Sequence, residues 1–149
     1  MTEQTLVFVK PEALRHWREI RFELKQLGTI AWQRMVTLNS DVIKNLYSFR
    51  RKEMLDATLQ HLAGQQVATF VIEGEDIVRK VYTICGHSTD PRFCGPKTLR
   101  FRFAPTPHYI VVMQRVLYYY NAVHRSSHIV EAQQDIPLLQ SAELVSHPL

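Results

Sequence analysis

The residues best placed to do chemistry lie in residues 121–127 (NAVHRSS), where His124 leaves an apolar run just ahead of two serines that can start a helix. An imidazole at such a junction can meet an anion at a helix N-terminus, and Ser126 with the later Asp135 can orient its ring. Other groups could hold anionic oxygens. Lys10 closes a second apolar run and is followed by Pro11 and Glu12, at a strand end of the kind where ligands gather in open sheets. Thr89–Asp90–Pro91 and Thr98–Leu99–Arg100 add hydroxyls and a guanidinium fork. Together they could carry out phosphoryl transfer, which needs an in-line nucleophile and cations that spread charge.

Any phosphate here must be held by side chains. The five glycines, Gly28, Gly64, Gly74, Gly86 and Gly95, are too dispersed to form a GxxxxGK or GxGxxG cradle. A net charge of +4 suits an anionic ligand but is too weak to imply nucleic acid. Two cysteines, Cys85 and Cys94, a polar start after Met1 and no apolar run near the roughly 20 residues of a membrane span predict a cytoplasmic protein without a membrane partner. At 149 residues, one domain over 1–149 is expected. Cys85, His87 and Cys94 lack a CxxC pair and a fourth ligand, so no protein-held metal site is expected.

These residues need elements to position them. Residues 5–10 (TLVFVK) read as a strand turning into a helix at Pro11, with Leu14, Trp17, Ile20, Leu24 and Leu27 on one face and Gly28 as its cap. Residues 29–38 and 66–73 read as strands, with helices at 40–47, 51–62 and from Gly74 to near Gly86. Residues 87–107 are Pro-rich and irregular, except that 98–103 (TLRFRF) alternates like a strand. Residues 109–116 are strand-like, 118–123 extend or follow them, and a last helix starts at Ser126 or Ser127 and ends at Pro137. The alternation predicts a mixed α/β (α+β) domain.

Lys10–Pro11–Glu12 after TLVFV, Tyr47, VIEGE at 71–75, GHSTDP at 86–91, PKTLR at 96–100 and NAVHRSS at 121–127, in this order, resemble the nucleoside diphosphate kinase family over residues 4–141. The resemblance implies a ferredoxin-like βαββαβ sandwich with additional helices. It also implies ping-pong transfer of the γ-phosphate from a nucleoside triphosphate to a nucleoside diphosphate, with Mg2+ carried on the phosphates, in a homo-oligomer. His124 would be the phosphorylated nucleophile, steadied by Ser126 and Asp135. Lys10, Thr89 and Arg100 would hold phosphates, with Lys10 and Asn121 near the sugar, Tyr47 beside the histidine and Met54 covering the base.

The chain departs from the family pattern at several points. Tyr82 stands where the family has a phosphate-binding arginine, with Arg79 or Arg125 as the possible replacement. Met54 or Leu55 stands for a base-stacking phenylalanine, Asp135 for the usual glutamate, and Arg125 and Ser127 for a small residue and an aspartate. An insertion at about 104–120 precedes the last strand, too apolar for a free loop and expected to form a hairpin or an oligomer contact. The alternative function is a nucleotide-binding module of the same fold with reduced or no turnover. An RNA-binding ferredoxin-like domain would leave Lys10 and residues 121–124 without a role.

Overall fold

The computed structural model describes residues 2–107, 109–112, 114–144 and 149. The elements run β1 (Thr2–Val9), a 3-10 turn (Pro11–His16), α1 (Trp17–Lys25), β2 (Thr29–Thr37), α2 (Ser40–Leu46), α3 (Lys52–Leu62), β3 (Gln66–Glu75), α4 (Ile77–Cys85), a 3-10 turn (Pro91–Phe93), α5 (Leu99–Phe103), β4 (Tyr109–Val112), β5 (Arg115–Tyr119), β6 (Val123–Arg125), α6 (Ile129–Gln140) and β7 (Glu143–Leu144). The main sheet has the antiparallel order β6-β1-β3-β2-β7. Its first four strands, with α1 and α4 as crossovers, make the βαββαβ arrangement expected from the sequence.

Both faces of this sheet are covered, which explains why residues 5–9 of β1 are buried without a break. Successive side chains leave opposite faces of a strand. Val7 and Val9 accordingly join Ile20 and Leu24 of α1 and Ile77 and Val81 of α4. Leu6 and Phe8 join Ile43 of α2, Leu62 of α3 and Leu139 of α6. β1 therefore anchors two cores at once and ends in Lys10, whose backbone amide donates to the carbonyl of Ala122 at 2.8 Å.

Three local expectations are corrected. Residues 98–103 are not a strand: Thr98 Oγ1 accepts from the Phe101 amide at 3.3 Å and caps helix α5, because Leu99 and Phe103, four apart, share a helix face on the core while Phe101 stays exposed. Neither Ser126 nor Ser127 caps α6, since the His128 ring Nδ1 accepts from the Glu131 amide at 3.2 Å. Pro137 does not end α6, which continues to Gln140. The proline sits on the exposed face and frees a carbonyl at exposed Gln133, while burial of Ala132, Asp135 and Leu139 holds the other face.

Within the segment read as an insertion, β4 and β5 form a hairpin. β4 pairs with β5 from Tyr109 opposite Tyr119 to Val112 opposite Arg115. Its anchor is Tyr118, 2% exposed, which stacks on His61 of α3 at 4.7 Å between ring centres.

Candidate active site

His124 is the middle residue of β6, paired with Phe8 of β1, and its ring stacks on the Phe8 ring at 4.8 Å. That stack, with the Tyr47 ring edge-on at 5.5 Å, leaves the imidazole little rotational freedom. Its Nε2 lies 3.1 Å from Asp135 Oδ2, and the same carboxylate oxygen accepts from Ser126 Oγ at 3.0 Å. All three residues are buried. A carboxylate can only accept, so Nε2 carries the ring proton and Nδ1 presents a lone pair. Nδ1 lies 3.3 Å from Tyr47 Oη. Burial pushes the Tyr47 phenol up to about 12, so near neutral pH it stays protonated and donates to that lone pair.

The imidazole opens onto a cavity of about 250 Å³. A larger hollow of about 510 Å³ lies against the outer face of α1, but the groups able to do chemistry do not line it. Lys10, Tyr47, Thr89, Arg100, Asn121 and His124 share the smaller wall. Ser126 and Asp135 lie behind the histidine. Met54 is half-buried on α3 and is not part of this wall.

The cavity is strongly cationic: Lys10, Arg50, Arg100 and Arg125 line it against one carboxylate, Glu131, among the described residues. Lys10 Nζ donates to the Tyr119 carbonyl at 2.8 Å and to Asn121 Oδ1 at 3.1 Å, lies 3.7 Å from Glu12 Oε2, and sits 4.3 Å above the Tyr118 ring. Burial lowers its pKa to about 8, against the pull of Glu12. Arg100 donates to the carbonyls of Ser88 at 2.8 Å and Val123 at 3.1 Å, and burial lowers its pKa to about 10, with repulsion from Arg125 acting the same way. Asn121 Nδ2 donates to the Thr89 carbonyl at 3.0 Å, which ties the Pro-rich loop to the chain just before the strand carrying His124. Between them Ala122 takes a left-handed φ of 71°, a strained turn that directs residues 121 and 123 to the site.

The two cations that could stand in at Tyr82 part company. Arg79 is exposed and ion-paired with Asp76 at the start of α4. Arg125 lines the cavity, with its guanidinium 4.1 Å from the Tyr82 ring centre. Both Arg125 and Arg100 bond the carbonyl of Gly86, whose φ of 113° suits glycine and whose site leaves no room for a side chain, since a Cβ would stand 2.6 Å from Cys94 Sγ.

Sequence reasoning missed Arg50, stacked 4.5 Å from the Tyr47 ring, and Glu131. A signal existed for each: Arg50 follows Tyr47 by three residues, and Glu131 precedes Asp135 by one helical turn on the same face. His124, Glu131 and Asp135 each offer one ligand atom, all within 4.8 Å of one another, although Asp135 is already committed to His124 and Ser126.

The profile of the family described as Nucleoside diphosphate kinase matches residues 3–144. Among similar proteins, a nucleoside diphosphate kinase of Borreliella burgdorferi is 26% identical over 148 residues, covering 93% of this chain and 87% of that one. One of Pyrococcus horikoshii is 29% identical over 153 residues, covering 99% and 91%. A crystal structure of the Aquifex aeolicus nucleoside diphosphate kinase superposes with a TM-score of 0.78 at 25% identity, covering 97% of this chain and all of that one. With matching sequence over nearly its full length, and a shared fold, this chain belongs to the nucleoside diphosphate kinase family.

Proposed function

We propose that the protein moves a γ-phosphoryl group from a nucleoside triphosphate to a nucleoside diphosphate through phosphorylated His124. Its activity is that of a nucleoside diphosphate kinase, a phosphotransferase. The observation that carries the mechanism is the Ser126–Asp135–His124 chain of hydrogen bonds, which keeps the ring proton on Nε2 and the lone pair on Nδ1. Attack of that lone pair forms an N–P bond while the bond from Pγ to the β,γ-bridging oxygen breaks, and the electron pair leaves with the nucleoside diphosphate. The imidazolium that results is stabilised by Asp135. In the second half-reaction a terminal phosphate oxygen of the other nucleoside diphosphate takes the phosphoryl group, and the neutral ring returns.

Lys10, Thr89 and Arg100 serve as phosphate ligands, with Tyr47 and Asn121 fixing the imidazole and the sugar. Met54 is assigned to the base, although on α3 it does not line the cavity itself. A nucleotide-binding module without turnover would not need the Asp135 relay, which favours the kinase.

Phosphotransfer in this family uses a divalent metal. We assign magnesium carried on the nucleotide phosphates, since this ion is held mainly by substrate phosphates and few protein oxygens; Glu131 is the carboxylate that the cavity offers. Bound there, it would neutralise phosphate charge. We further place the protein in the cytoplasm as one domain over 1–149, with 104–120 as an insertion, acting as a homo-oligomer on nucleoside di- and triphosphates and on no nucleic acid. Among the described residues no helix is long and apolar enough to cross a membrane, and Cys85 and Cys94 are free thiols.

Incubation with γ-labelled ATP tests the mechanism. Acid-labile label should appear on the protein, transfer to added nucleoside diphosphate and be absent from His124→Ala. Nucleotide binding without label would instead support the module.

A further inference from the structure

Next to the nucleophile, Arg125 is a buried cation that the reaction above leaves unused. It is 7% exposed, and its guanidinium donates only to neutral groups: Ser127 Oγ at 2.8 Å and the carbonyls of Gly86 at 3.1 Å and His87 at 3.3 Å. Its Nε–H is buried and meets no acceptor among the described residues. No carboxylate among them forms an ion pair with it; Glu131, on the same wall, faces His128 at 3.9 Å. Arg100, equally without a carboxylate partner, repels it across the cavity. A buried charge and an unmet donor are both costly until an anion arrives. Adjacent strand residues leave opposite faces, yet His124 and Arg125, the last two residues of the short strand β6, both line the cavity.

Resting on the phosphotransfer reading, we propose that Arg125 binds the oxygens of the phosphoryl group in flight between nucleotide and His124, with Tyr82 as the aromatic platform that holds its guanidinium. Three of its five N–H groups tie the fork to Ser127 and to the carbonyls of Gly86 and His87, which leaves the second Nη1–H, with the buried Nε–H beside it, for that group. The stacked tyrosine attracts the cation without neutralising it, as a carboxylate would. In this chain an aromatic at position 82 and an arginine at 125 thus replace the arginine and small residue of the family pattern, exchanging the source of the cation while keeping its place beside the nucleophile.

The test is single-turnover formation of phosphohistidine from labelled ATP in the full chain, with calorimetric binding of tripolyphosphate as a second readout. Arg125→Met should slow label uptake by about 10²–10³-fold, the range for loss of one preorganised donor, and weaken tripolyphosphate about tenfold, an expected change of roughly 1.4 kcal/mol. Arg125→Lys, which keeps a cation and so preserves the fold if Arg125→Met does not, should remain at least about tenfold slow for want of the planar fork. Tyr82→Arg combined with Arg125→Gly should recover transfer relative to Arg125→Met. A tie that only holds the loop would lower melting temperature in Arg125→Lys while leaving rate and tripolyphosphate affinity at the parental values, and that result overturns the proposal. Absence of label in the unaltered chain would overturn the phosphotransfer reading and this proposal with it; label in the parent at an undiminished rate in Arg125→Lys would overturn this proposal alone.

Discussion

At the scale of single residues the decisive feature is where one proton sits. Asp135 accepts from both Nε2 of His124 and Ser126, and thereby frees Nδ1. Replacing it by asparagine offers an N–H to Nε2 and draws the ring proton to Nδ1, the position proposed to attack phosphate. Asp135→Asn should lower the rate of phosphohistidine formation by about 10²–10⁴-fold, as loss of the correct tautomer does in other catalytic histidines, with nucleotide affinity nearly unchanged in a binding titration. Lys10 sets a pH limit. Its pKa of about 8 means that the ammonium proposed to meet phosphate is lost as pH rises through that value. The rate at low substrate, kcat/KM, should fall above about pH 8, and Lys10→Arg should move that limb to higher pH. The same depression has a stability sign: between about pH 8 and 10.5 the unfolded chain binds the proton that the fold rejects, so this lysine destabilises the fold less as pH rises.

At the scale of elements the inserted hairpin is part of the site. The Tyr119 carbonyl and the Tyr118 ring, both on β5, hold the Lys10 ammonium, and Tyr118 locks β5 to α3 through His61. The Tyr118 hydroxyl is buried and has no hydrogen-bond partner among the described residues, and burial drives its pKa upward. Removing that oxygen should therefore cost nothing: Tyr118→Phe is expected to stabilise by up to about 1 kcal/mol in urea denaturation. Tyr118→Ala opens a cavity instead and should cost about 3–5 kcal/mol, with weaker nucleotide binding because Lys10 loses its support. A destabilised Tyr118→Phe would mean that the hydroxyl has a role that its buried surroundings do not reveal.

At the scale of the whole molecule, the sheet is finished on one side only in part. β7 pairs with Val36 and Thr37 of β2 and leaves the rest of that edge, residues 29–35, without a strand among the described residues. On α1 nearby, Phe22 is 64% exposed. An edge that no strand pairs among the described residues, beside an exposed aromatic, is a surface that proteins usually cover. Sedimentation equilibrium at micromolar protein should return an integer multiple, two or more, of the 17.4 kDa chain mass. A mass of one chain would remove the homo-oligomer from the reading.

What the sequence by itself determined is the family and the order of the core elements, together with a set of candidate reacting groups. His124, Lys10 and Arg100 could be singled out as candidates because the motifs around them, NAVHRSS, KPE and PKTLR, follow one another in a family's order, and β1, α1 and β3 because their patterns are long enough to be read. The tertiary structure decided the rest. Residues 98–103 alternate like a strand but form a helix, because Thr98 caps them and the core takes Leu99 and Phe103 from one helix face. Pro137 lies inside a helix because the buried face around it outweighs one missing hydrogen bond. Met54 proved to stand off the cavity wall, and Arg50 and Glu131 to stand on it, since contact between α3, α6 and the loop after α2 is set by packing across the sheet rather than by spacing along the chain. The choice between Arg79 and Arg125 was of the same kind: sequence offered two cations, and only the fold pairs one with Asp76 and lays the other on Tyr82.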